Sequence, residues 1–144
     1  MVQNYQNILV ATDGSAQAQA AFDQAMALAQ TYKAKLYVVQ VVIPPYFTSR
    51  SETGGVILRD MINEAKANLA QLVDQAKADG FANIEAIQAE GSPRDIISKK
   101  LPEELNIDLI VLGATGRTTT EKLFLGSVSE YVTRHAKAQI LIVR

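Results

Sequence analysis

The chain reads as an α/β domain with a doubly wound, five-stranded parallel sheet in the order 3-2-1-4-5 and helices on both faces. Three observations predict it. Short apolar runs rich in β-branched residues, "NILVA", "KLYVVQVV" and "IDLIVLG", are continuous rather than alternating, as in strands buried on both faces. Stretches with apolar residues at helical spacing separate the runs, and that alternation is the mark of crossover units with parallel strands. No repeat or linker interrupts the order, so residues 1–144 form a single domain in this reading.

Each element has its own warrant. The first strand, 7–11, stops at "TDGS", where Ser15 can cap a helix carrying Ala18, Ala21, Phe22, Ala25, Leu28, Ala29 and Tyr32 on one face. The second strand, 35–42, ends at Pro44–Pro45. The aperiodic stretch 44–55 is the one long loop. A long helix over 56–79 follows, its core stripe made of Leu58, Met61, Ile62, Ala65, Leu69, Leu72, Val73 and Ala76, with Gly80 as the residue that ends it. The third strand, 83–90, alternates and therefore suits an edge. Ser92 and Pro93 start a short helix that Pro102 interrupts or ends. The fourth strand covers 107–113. A last helix, 126–136, places Val128, Tyr131, Val132 and His135 on one face, and "QILIVR" closes the chain as the fifth strand.

Composition narrows the chemistry. A formal net charge of −1 offers no basic field for nucleic acid or anionic membranes. Without cysteine there are no disulfides, thiolate nucleophiles or cysteine-held metals. No apolar run approaches the roughly 20 residues of a membrane helix, and the N-terminus lacks a signal-peptide pattern. A cytoplasmic protein is expected.

Strand order 3-2-1-4-5 puts a switch point between strands 1 and 4, and ligands of such sheets bind outside the carboxyl ends of the strands there. The unusual residues sit at those ends. Gly113 and Gly116 leave strand 4, and Gly126 with Ser127 opens the last helix, whose uncapped amides and dipole favour an anion. Glycines in such loops also serve backbone shape alone; the third glycine, the serine and the helix start tilt the reading to phosphate. Asp13 has a local role open to it, an Asx turn at "DGS", and a ligand role toward ribose hydroxyls or a divalent cation beside phosphates. Val41 can offer its main-chain N–H and C=O to a flat base, its side chain being strand filler. Arg117 and Lys122 are either phosphate contacts or solvated loop charges.

These residues carry a resemblance. "GATGRTTTEKLFLGS" fits the G-x2-G-x9-G-[ST] signature of the universal stress protein family, and "NILVATDGSAQAQAAFDQAMALA", "LYVVQVV", "EGSPRDII" and "DLIVLGATGR" resemble that family in the same order. The likeness covers essentially the whole chain. It implies a Rossmann-like fold, a homodimer joined through the last strands, and ATP held with its triphosphate in the glycine loop, with Mg or Mn on the nucleotide. In that resemblance Asp13 maps to the acid near the ribose and is the candidate contact to a nucleotide-bound metal, and Val41 meets adenine. Gly113, Gly116, Gly126, Ser127 and Val128 map to the phosphate loop, with Ala11, Thr12 and Leu112 lining the pocket floor. Ala11 departs from the family pattern, where a proline often stands, without removing a polar contact.

Catalysis finds little support. The one histidine, His135, reads as a helix-end or surface residue, and no Ser-His-Asp set or metal-ligand cluster can be assembled. No "GKS" or "GKT" follows a glycine, so a P-loop is not supported, and the paired acids of response regulators are missing. The leading expectation is a stress sensor or regulator that binds ATP and hydrolyses it slowly or not at all. Alternatives are a nucleotide-independent dimeric module that recruits an unknown protein partner, a true ATPase or phosphotransferase, and a binder of another adenine nucleotide such as cyclic AMP.

Overall fold

A computed structural model describes residues 4–45, 54–115 and 125–144. Its elements are β1 (Asn7–Ala11), α1 (Ala16–Tyr32), β2 (Lys35–Val42), α2 (Gly54–Ala78), β3 (Ile84–Glu90), α3 (Pro93–Asp95), a π turn (Ile96–Lys100), α4 (Leu101–Leu105), β4 (Leu109–Gly113), α5 (Ser127–His135) and β5 (Gln139–Val143). The strands form one parallel sheet in the order β3-β2-β1-β4-β5, as expected. Most of the predicted loop 44–55 lies outside the described residues, and α2 begins two residues earlier than its periodicity suggested.

Alternation along each strand sends side chains to two separate cores. Ile8, Val10, Leu36, Val38 and Val111 pack with Ala21, Phe22 and Ala25 of α1 and with Leu69, Leu72 and Ala76 of α2. On the other face Leu9, Val39, Ile110 and Leu112 pack with Ile96, Ile97 and Leu101 and with Val132 of α5. The three central strands are buried throughout most of their length, whereas β3 and β5 at the edges are not.

Helix ends follow from local chemistry. The Ser15 hydroxyl accepts from Ala18 N–H at 3.1 Å, capping α1. α2 closes with two reverse bonds, Gly80 N–H to Lys77 C=O and Phe81 N–H to Ala76 C=O, and Gly80 takes the φ of +82° that this closure needs. The segment after β3 starts at Ser92 and Pro93 and changes its helical winding just before Pro102, within the expectation that the proline interrupts or ends the helix. Ser92 stands at the N-cap position, yet its side chain makes no capping bond. Pro102 does not end the helix. The preceding turn widens so that Leu101 N–H reaches Ile96 C=O, and the helical path runs on to Leu105. A widened turn makes room for the proline ring, which would collide with a carbonyl in a regular helix.

Candidate functional site

β1 and β4 are neighbours, paired from Ile8↔Leu109 to Val10↔Val111, and their chains leave toward opposite faces of the sheet. A cavity of about 350 Å³ opens where they part. It is lined by Ala11 of β1 with Thr12 and Asp13 just beyond, and by Leu112 and Gly113 of β4 with Thr115 just beyond. Val41 and Ile43 wall it on the β2 side, Pro93 and Ile97 lie over it, and Gly126, Ser127, Val128 and Ser129 close the far side, with Ala18 contributed by α1. Ala11, Thr12, Asp13, Val41, Leu112, Gly113, Gly126, Ser127 and Val128 are therefore brought together in one place. Gly116, Arg117 and Lys122 lie outside the described residues.

The turn after β1 is built from short polar links. Thr12 N–H still donates to Val39 C=O at 2.9 Å, and the Thr12 hydroxyl, on a residue that is 8% exposed, accepts from Gly14 N–H at 3.2 Å. Asp13 Oδ1 accepts from Ser15 N–H at 2.9 Å. The Asx turn foreseen as the local role of Asp13 thus exists, and it fixes the carboxylate at the cavity rather than removing it. Gly14, at φ +82°, lets the chain double back.

Along a parallel strand, N–H and C=O of one residue face one neighbour and those of the next residue face the other. Val39 C=O bonds toward β1 and Val42 C=O accepts from Gly91 N–H on the β3 side. Val41 N–H and C=O therefore face the β1 side at a height where β1 has already left the sheet. That donor–acceptor pair borders the cavity beside the apolar side chains of Val41, Ile43, Pro93 and Ile97.

The opposite side is polar in another way. α5 begins at Gly126, an N-cap without a side chain, so the first amides of the helix meet no cap from that residue. Gly126 N–H donates to Ala114 C=O at 2.7 Å, and Ser129 Oγ donates to Gly113 C=O at 2.7 Å, which hold this helix end against β4. Two strand spacings, roughly 10 Å, separate β2 from β4. The cavity is thus apolar with a peptide edge at one end, carries the Asp13 carboxylate in the middle, and is bordered by the start of α5 at the other.

Gly113 lines the cavity and also meets a packing constraint. A Cβ there would sit 3.1 Å from the Gln17 carbonyl oxygen of α1, so the missing side chain allows β4 and the first turn of α1 to touch. His135 ends α5 in the open, its ring 4.2 Å from that of Tyr131. Sequence reasoning missed Ala18, Ile43, Pro93, Ile97, Thr115 and Ser129. Pro93 and Ile97 are four apart at helical spacing, a signal that they share a face; nothing comparable marks Ser129. Among the described residues no group of acids and histidines could hold a metal ion, and no helix is long and apolar enough to cross a membrane.

Comparison with known proteins agrees with this geometry. Residues 4–144 match the family described as the universal stress protein family. A curated relative from Staphylococcus haemolyticus, named for that family, is 36% identical over 140 residues, 97% of this chain and 85% of the relative. Among solved structures, the universal stress protein UspA from Lactobacillus plantarum superposes with a TM-score of 0.84 at 29% identity, covering 99% of this chain and all of that one. A universal stress protein in complex with cAMP superposes with a TM-score of 0.75 at 32% identity, covering 99% of each chain.

Proposed function

The chain belongs to the universal stress protein family, and we propose on that premise that it is a cytoplasmic stress sensor or regulator that binds ATP at the switch-point cavity. The observation that carries this reading is the order of groups across the cavity. Val41 N–H and C=O suit the edge of adenine, which offers an acceptor beside a donor. Asp13 would accept from ribose hydroxyls, or would offer its carboxylate to Mg or Mn brought in on the nucleotide. The start of α5, with Ser127 exposed beside the cavity, suits the phosphates. Hydrolysis is slow or absent in this reading. The groups at the cavity bind and orient, and the one histidine of the sequence is placed beside Tyr131 instead. Isothermal titration with ATP and magnesium tests the proposal: saturable binding is expected, and no saturation at millimolar ATP defeats it.

Cyclic AMP is a second reading, favoured by the relative of 32% identity described in complex with it. Competition separates the two. If ATP is the ligand, cAMP displaces it only weakly, because a single diester phosphate engages fewer of the α5 amides. Displacement by cAMP at lower concentration than by ATP itself would give the site to the cyclic nucleotide.

A further inference from the structure

We infer that Ser129 is a positioning residue for the phosphate end of this cavity, aiming the first amides of α5 through its hydrogen bond to Gly113; the inference rests on the nucleotide reading above. Ser129 is 7% exposed and occupies the third position of α5. A serine at a helix start commonly bonds the amides of its own helix. Here the hydroxyl turns the other way and donates to the Gly113 carbonyl at 2.7 Å. Beside it, Gly126 N–H donates to the carbonyl of Ala114, the residue just after the strand, also at 2.7 Å. One bond would hold the helix end at a point and leave it free to pivot. Two bonds, to successive carbonyls, fix its direction.

The anchor does not yield easily. β4 is pressed against α1 at Gly113, where a Cβ would lie 3.1 Å from the Gln17 carbonyl oxygen. Ala114 N–H in turn donates to Val143 C=O, which ties the same strand end to β5. Of the two bonds, the Gly126 one is pure main chain and survives any substitution except proline. The Ser129 bond is the one that a side chain can remove. Its loss lets the α5 start swing while the sheet, the Val41 edge and Asp13 stay in place.

The phosphate end should therefore weaken and the base end should not. Titration of wild type, Ser129→Ala and Ser129→Thr with Mg-ATP and with adenosine tests this. Ser129→Ala is expected to bind ATP about tenfold more weakly and adenosine within about twofold of wild type, with Ser129→Thr restoring ATP affinity. Equal weakening for both ligands, or unchanged ATP affinity in Ser129→Ala, overturns the inference and leaves the nucleotide reading standing. Wild type that takes up neither ligand defeats both. Amide hydrogen exchange without ligand is a second measurement. Faster exchange confined to the start of α5 supports the inference, and uniform acceleration through the sheet overturns it. Should Ser129→Ala not fold, Ser129→Cys, a weak donor of similar size, takes its place in both measurements.

Discussion

Gly113 shows how one residue can answer to two demands at once, lining the cavity and touching α1. Its place after a buried strand, at the mouth of a switch point, marks it from sequence alone. The second demand comes from the carbonyl of Gln17, nearly one hundred residues earlier, and no local pattern carries that contact. Gly113→Ala puts a methyl 3.1 Å from that oxygen, and backbone on both sides cannot simply rotate away. We predict a loss of about 1–3 kcal/mol in unfolding free energy by chemical denaturation, the range for overpacking a tight contact. An unchanged midpoint would mean that the first turn of α1 gives way freely. Asp13 and Val41 were legible for the opposite reason. Both owe their position to the ends of their own strands, and the strands are written in the sequence as apolar runs. Ser129 was not legible, because its hydroxyl bonds a strand sixteen residues upstream instead of its own helix.

At the scale of elements, caps and turns were more readable where glycine marks them. Gly80 announced the end of α2, and the closure is the one that glycine serves, at φ +82°. α1 ends in the same way without announcement. Ala34 N–H returns to Ala29 C=O at 2.9 Å around Lys33, which takes φ +55° and so bears a side chain in left-handed backbone. That conformation costs an L-residue about 1 kcal/mol or more. Lys33 is exposed and gives up no packing. Lys33→Gly is therefore expected to stabilise the protein by about 0.5 kcal/mol, the gain being reduced by the greater freedom of glycine in the unfolded chain. Gly80→Ala, the reciprocal change, should destabilise by about 1 kcal/mol. Thermal denaturation of both variants checks the pair; a lower midpoint for Lys33→Gly would refute the account of this cap. The widened turn before Pro102 lay beyond sequence reading, since proline is compatible with stopping a helix and with bending it.

At the scale of the whole molecule, β5 pairs on one side only, with β4, among the described residues. β5 is terminal in the sheet, and Ile140, Leu141, Ile142 and Val143 are each only partly buried although every one is apolar. A half-buried apolar strand with an open row of peptide groups is an invitation to pair. We propose that two copies join there, which also extends the sheet beyond five strands. The peptide groups that would make the junction can be identified. Val143 C=O accepts from Ala114 N–H, so residues 141 and 143 face β4, and by alternation residues 140 and 142 face outward. Proline at an outward position deletes a donor from the junction and none from the sheet itself. Ile142→Pro is expected to shift the protein from dimer to monomer in sedimentation equilibrium, with the circular dichroism of the fold kept. Leu141→Pro, one residue away, strikes the bonds to β4 and should disturb the fold as well. If Ile142→Pro remains dimeric, the two copies meet on another surface. In that case the apolar row of β5 has to be explained by something other than self-association.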